Sequence, residues 1–128
     1  MNLLIDTHAL IWFAEDSPGL SKAARAAIAD KSDHAFCSVA SIWEIAIKLS
    51  LGKLRMSLRL EGGFDRLLEK NGLHILPVEY RHAARVAALP WHHRDPFDRL
   101  LVAQAMVEGM TVISHDAQLD AYAIDRIW

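Results

Sequence analysis

Short apolar runs alternate with amphipathic stretches along the chain. Leu3-Leu4-Ile5 reads as a buried strand, and Ala35-Phe36-Cys37, Leu73 to Val78 and Met110 to Ile113 have the same character. Between them the apolar spacing is helical. Ser21 is placed to cap an Ala-rich helix to about Asp30, Ser38 to cap Val39 to Leu51 with Gly52 as the stop, and Glu79 to Leu89 is amphipathic. The clearest helix opens at Asp95-Pro96. There Asp95 is a natural N-cap, Pro96 suits the first helical position, and Leu100, Leu101, Ala103, Ala105 and Val107 give apolar faces before Gly109 ends it. Strands alternating with helices predict an α/β protein whose parallel sheet is covered on both faces. No repeat, low-complexity tract or Gly/Ser/Pro-rich linker interrupts the pattern, so residues 1–128 are expected to form one domain.

Composition narrows this reading. The chain is 52% hydrophobic and 23% charged over 128 residues, which excludes disorder and fibrous repeats. With 14 Lys and Arg against 16 Asp and Glu, the net charge of -2 argues against coating nucleic acid by bulk electrostatics, so any such partner needs a local basic patch. Cys37 is the only cysteine, leaving no intramolecular disulfide and no Cys-rich zinc site. The apolar start is broken at Asp6 and lacks a basic flank, so no export signal is expected and a cytoplasmic location follows. The longest apolar run, Ala9 to Ala14, is far short of the ~18–20 residues that span a bilayer.

The architecture gathers acids. In an open parallel sheet, ligands collect where strands end and the following helices begin. Asp6 ends the first strand, Asp116 follows the strand Met110 to Ile113, and the helix from Pro96 must run antiparallel to that strand, placing Asp95 and Asp98 at the same edge. Glu44 interrupts an almost wholly apolar helix and can face that edge too. Each acid also has an ordinary role. Asp95 and Asp98 have the spacing of a capping box, Glu44 precedes Lys48 by four residues, and Asp116 or Asp6 can cap a turn. Joint placement is what favours a site: clustered carboxylates suppress one another's ionisation unless a cation neutralises them, and oxygen donors suit Mg2+ or Mn2+, which can lower the pKa of a water molecule.

Four segments then carry a family resemblance: Asp6-Thr7-His8, Ser41-Ile42-Trp43-Glu44-Ile45, His93 to Ala105 with Arg94-Asp95-Pro96-Phe97-Asp98-Arg99, and Val112-Ile113-Ser114-His115-Asp116. In order and over essentially the whole chain, they resemble PIN-domain ribonucleases, especially VapC-type toxins of the Arg-Asp-Pro-Phe-Asp-Arg subgroup. The resemblance implies a three-layer α/β/α sandwich with a mainly parallel sheet. It implies a Mg2+ or Mn2+ site built from Asp6, Glu44, Asp98 and Asp116, with Asp95 as an extra acid, and RNA hydrolysis by metal-activated water. Thr7 and Ser114 are expected to orient carboxylates. Many members have Thr-x-Asp where this chain has Ser114-His115-Asp116, and serine keeps the hydroxyl. The resemblance also implies a small antitoxin partner and a homodimer.

RNA must reach such a site through positive surroundings. Ile45 to Leu60 carries Lys48, Lys53, Arg55 and Arg59 without an acid, and His92, His93, Arg94 and Arg99 flank the last long helix. Lys48, Arg94 and Arg99 are therefore candidate RNA contacts, with Trp91 available for stacking. Trp12, Trp43 and Trp128 read as core or interface, and the apolar stretches Ala9 to Ala14 and Leu49 to Leu60 point to an interface.

Other classes fit less well. A haloacid-dehalogenase-like phosphatase wants a second acid where His8 stands, and a phospho-receiver wants paired acids before its first helix and a strand-end lysine. The seven histidines form no His-Glu-x-x-His motif for a zinc hydrolase. A PIN-like module that binds RNA or protein without cutting is the non-enzymatic alternative; loss of an acid would have supported it, and all four are present.

Overall fold

The computed structural model describes residues 1–128. Five parallel strands form one sheet in the order β3-β2-β1-β4-β5: β1 (Asn2–Ile5), β2 (His34–Ser38), β3 (His74–Leu76), β4 (Thr111–Ile113) and β5 (Arg126–Ile127). β1 is therefore the middle strand. Its register sets Ile5 beside Cys37 on one side and Ile113 on the other, so the chain leaves all three strands at the same edge.

Side chains of a strand alternate between faces, and β1 fills both cores that way. Leu3 and Ile5 enter one core with Leu10, Ala24, Ile45 and Leu68; Leu4 enters the other with Leu101, Val102, Val112 and Tyr122. The first is covered by α1 (Thr7–Ala14), α2 (Lys22–Ala29), α3 (Val39–Ser50) and α4 (Asp65–Lys70); α5 (Tyr80–Val86) and α6 (Pro96–Glu108) cover the second. This is the three-layer α/β/α arrangement. Leu3, Leu4 and Ile5 are wholly buried, each contributing about 1.5–3 kcal/mol by leaving water. No helix is long and apolar enough to cross a membrane.

Local chemistry sets the helix ends. Ser21 accepts from the Ala24 N–H, Ser38 from Ala40, and Asp95 from Phe97 and Asp98. Pro96 opens α6, and Gly109 closes it at φ 67°, ψ 40°, a left-handed conformation that costs glycine nothing.

Two elements depart from the sequence reading. The apolar run Ala9 to Ala14 lies within α1, and Ile11, Trp12, Phe13 and Ala14 pack against the first core, as do Leu49, Leu54, Met56 and Leu60 from the second stretch. Much of the apolar surface assigned to an interface is thus covered within the chain. The two-residue β5 has no apolar run of its own and owes its form to pairing with β4.

Candidate active site

The edge where β1, β2 and β4 end collects acids from four elements. Asp6 follows β1 and caps α1: Oδ1 accepts from the Ala9 N–H at 2.8 Å and Oδ2 accepts from the Ser114 hydroxyl. Ser114, just past β4, also accepts from the Asp116 N–H at 3.0 Å, so one hydroxyl positions two acidic residues. Asp116 caps the short 3-10 turn Ala117–Ala121 through the Gln118 N–H at 2.9 Å. Asp6 is buried, and burial is the main cause that raises its pKa despite the hydrogen bonds.

Glu44 reaches in from the buried face of α3. Its Oε2 pairs with Lys48 Nζ at 2.8 Å, while Oε1 is buried without any hydrogen-bond partner. Asp98, in the first turn of α6, has its carboxyl pushed up to about 7, first by burial and then by the charges of Asp95, Asp6, Glu44 and Asp116. One carboxyl thus feels every other acid named from the sequence. Asp98 makes no capping-box bond back to Asp95, whose own Oδ1 is occupied by the Phe97 and Asp98 N–H groups at 2.9 and 3.2 Å.

A histidine completes the cluster. His93, Asp98 and Asp116 each offer an atom within 4.8 Å of the others. His93 Nε2 lies 3.8 Å from Asp98 Oδ2 and has no hydrogen-bond partner, while Nδ1 is held by the Tyr122 hydroxyl at 3.0 Å. In the sequence His93 counts only toward the positive surroundings of this helix, because adjacent His92 and His93 cannot easily share one metal and an imidazole without a partner at helical spacing carries no motif. Tyr122, which fixes it, is distant in sequence.

Two buried atoms, Glu44 Oε1 and His93 Nε2, have no partner, and both residues belong to the acid cluster around Asp98, whose charge that cluster disfavours. Hard oxygen donors in that number, with unpaired lone pairs, fit a divalent cation.

The remaining residues are distributed differently. Thr7 donates to Ser41 Oγ at 3.0 Å rather than to a carboxylate. Lys48 is engaged with Glu44. Arg94 is exposed, as are Lys53, Arg55 and Arg59. Arg99, expected at an RNA surface, is instead buried at 3% exposure. Its guanidinium donates to the carbonyls of Pro90 at 2.9 Å, Leu89 at 3.3 Å and Val86 at 3.4 Å, and sits 3.8 Å from the centre of the Trp91 ring. A planar, five-donor cation is the one side chain able to serve so many carbonyls, and desolvation keeps it from RNA. Trp91 remains 76% exposed, and Trp43 at 61% exposure packs edge-on against Phe97.

Fold and site together define a parallel α/β protein with a cluster of carboxylates at the strand-end edge. Residues 3–125 match the PIN domain, and the chain belongs to that family. It is 26% identical over 125 residues to Ribonuclease VapC22 of Mycobacterium tuberculosis, covering 97% of this chain and 94% of that protein. The crystal structure of VapBC2 from Rickettsia felis bound to a DNA fragment from their promoter superposes with a TM-score of 0.74 at 13% identity, covering 98% of this chain and 97% of that one. VapBC-1 from nontypeable Haemophilus influenzae gives 0.68 at 15% identity, with coverage of 98% and 96%.

Proposed function

We propose that the chain is a VapC-type endoribonuclease, the toxin of a toxin–antitoxin pair, forming a single PIN domain over residues 1–128. The observation that carries this reading is the gathering of acids around Asp98, whose carboxyl is raised to about 7 by burial and by Asp95, Asp6, Glu44 and Asp116, with the buried Glu44 Oε1 left unpartnered. Likeness to Ribonuclease VapC22 supports the reaction, and likeness to VapBC complexes supports a small antitoxin partner.

Asp6, Glu44, Asp98 and Asp116 would hold Mg2+ or Mn2+, with Asp95 close enough to add its charge to Asp98. When bound, the ion neutralises the acids, lowers the pKa of water and stabilises charge developing on phosphoryl oxygens. The chain's own groups do the rest. Ser114 fixes the Asp6 carboxylate and the Asp116 backbone, so two acids need no reorganisation when phosphate arrives. Lys48 holds Glu44 and keeps positive charge at the rim. Exposed Arg94, Lys53, Arg55 and Arg59 offer phosphate contacts, and the open Trp91 ring offers a base-stacking surface. RNA as substrate fits a cytoplasmic location, and exposed Trp43 and Leu51 provide apolar area for a homodimer or the antitoxin.

Cleavage of total RNA by the purified chain with Mg2+ or Mn2+, beside Asp98→Asn, tests the activity. Loss of cutting by the folded variant is expected; undiminished cutting defeats the assignment. Co-expression with the neighbouring small open reading frame, followed by native mass measurement, tests the partners; a chain that stays a free monomer overturns them.

A further inference from the structure

Two largely buried histidines in this protein are used differently. His82, fully buried, engages both ring nitrogens: Nδ1 accepts from the Glu79 N–H at 3.0 Å, and Nε2 lies 2.9 Å from Glu108 Oε1. His93, whose side chain is 10% exposed, engages one. Its Nδ1 is tied to the Tyr122 hydroxyl, and Tyr122 is itself buried and within 3.5 Å of an Arg99 nitrogen. The ring is therefore held from behind, while Nε2 is left without a partner beside Asp98 and Asp116.

We infer that His93 Nε2 is a ligand to the cation of this site, joining Asp98 and Asp116 and biasing the site toward Mn2+ and other imidazole-accepting ions over Mg2+. The inference rests on the cation site proposed above. A separation of 3.8 Å from Asp98 Oδ2 is too long for a hydrogen bond. It suits two ligands on one ion, which at bond lengths of ~2.1 Å can stand at most ~4.2 Å apart. A ligating imidazole ordinarily anchors its other nitrogen, as Tyr122 does here. In the tautomer that carries its proton on Nδ1, toward the Tyr122 oxygen, the Nε2 lone pair faces the acids. Replacing one oxygen donor with imidazole changes preference among divalent ions, since Mg2+ favours an all-oxygen shell and later metals accept nitrogen.

Mn2+ is the probe, read by electron spin echo modulation on the purified wild type without RNA. A directly coupled 14N is expected, replaced by 15N when the protein is grown on 15N-histidine; this readout needs no variant. His93→Gln should lose the coupling and weaken Mn2+ binding by ~10–100-fold. Mg2+ binding should fall much less. His8→Gln, an exposed histidine next to Thr7, should keep the coupling. Mn2+ bound to wild type without nitrogen coupling, or coupling that survives in His93→Gln, overturns the inference while leaving the carboxylate site standing. Failure of wild type to bind Mn2+ at all overturns both.

Discussion

Ser114 donates a buried hydrogen bond to the carboxylate of Asp6, 108 residues away in the chain. The same oxygen accepts from the Asp116 N–H, so the hydroxyl is a joint between the ends of β1 and β4. Removing it frees the Asp6 carboxylate to rotate and releases the turn that carries Asp116. Ser114→Ala should lower RNA cleavage and metal affinity by about 10–100-fold, while stability changes by only about 1 kcal/mol. Ser114→Thr, which keeps the hydroxyl, should restore most of the activity. Steady-state cleavage and thermal melting of the two variants check this, and an Ala variant as active as wild type would contradict it.

Asp98 makes stability depend on pH in the absence of metal. Its folded pKa of about 7 lies above the ~3.9 of an unfolded aspartate, so the folded protein favours the protonated form. The stabilisation is complete below the unfolded pKa and is lost as pH rises through about 7. In EDTA, Tm should therefore fall between pH 5 and pH 8. The side chain is 31% exposed, so solvent screening reduces the effect. Asp98→Asn should recover about 1–2 kcal/mol at pH 8, roughly 3–6 °C in Tm, and flatten the profile. Mn2+ should raise the Tm of wild type at pH 8 far more than that of the variant. A wild-type profile that is flat in EDTA would remove the electrostatic basis of the site.

Arg99 is a structural strap. Its carbonyl contacts tie the segment from Val86 to Pro90 to α6 and to Tyr122. Lysine keeps the charge but cannot spread donors over the same carbonyls. Arg99→Lys should cost about 2–4 kcal/mol in urea titrations, from buried carbonyls left unpaired. On an Asp98→Asn background that cannot cut, RNA affinity of the folded protein should be unchanged by Arg99→Lys and weakened by Arg94→Ala. Filter binding at several salt concentrations separates these outcomes.

Asp95 caps α6 with a single oxygen that asparagine can replace. Asp95→Asn should cleave RNA within a few-fold of wild type, and Asp95→Ala should lose about 1 kcal/mol of stability with little further loss of cleavage. Asn also removes one of the charges acting on Asp98, so its Tm in EDTA at pH 8 should exceed wild type. Cleavage abolished by Asp95→Asn would make this residue a ligand.

Elements whose signals are local were readable in advance. α6 announces itself through Asp95-Pro96, its apolar faces and Gly109, and has those caps; α3 announces itself through Ser38, its N-cap, and ends with Leu51 as C-cap just before Gly52 at φ 69°. The parallel sheet with two covered faces followed from the alternation of apolar runs and helices. α1 was not separable from a buried strand, because after His8 its residues are all apolar and show no polar stripe. The burial of Arg99 was illegible for a different reason. Guanidinium groups are usually solvated, and the backbone carbonyls of Leu89 and Pro90 that receive this one carry no side-chain signal. His93 needed Tyr122 behind it, a tertiary contact without short-range spacing.

β1 is the first strand made and the middle strand of the sheet. A growing polypeptide therefore carries Asp6 and Glu44 long before Ser114 and Asp116 exist to meet them. Joining β1 to β4 closes a loop spanned by the 108-residue separation of Asp6 and Ser114, the kind of distant pairing that slows folding. The acids of this edge therefore come together only after the chain has been made past Asp116, however early Asp6 and Glu44 are in place.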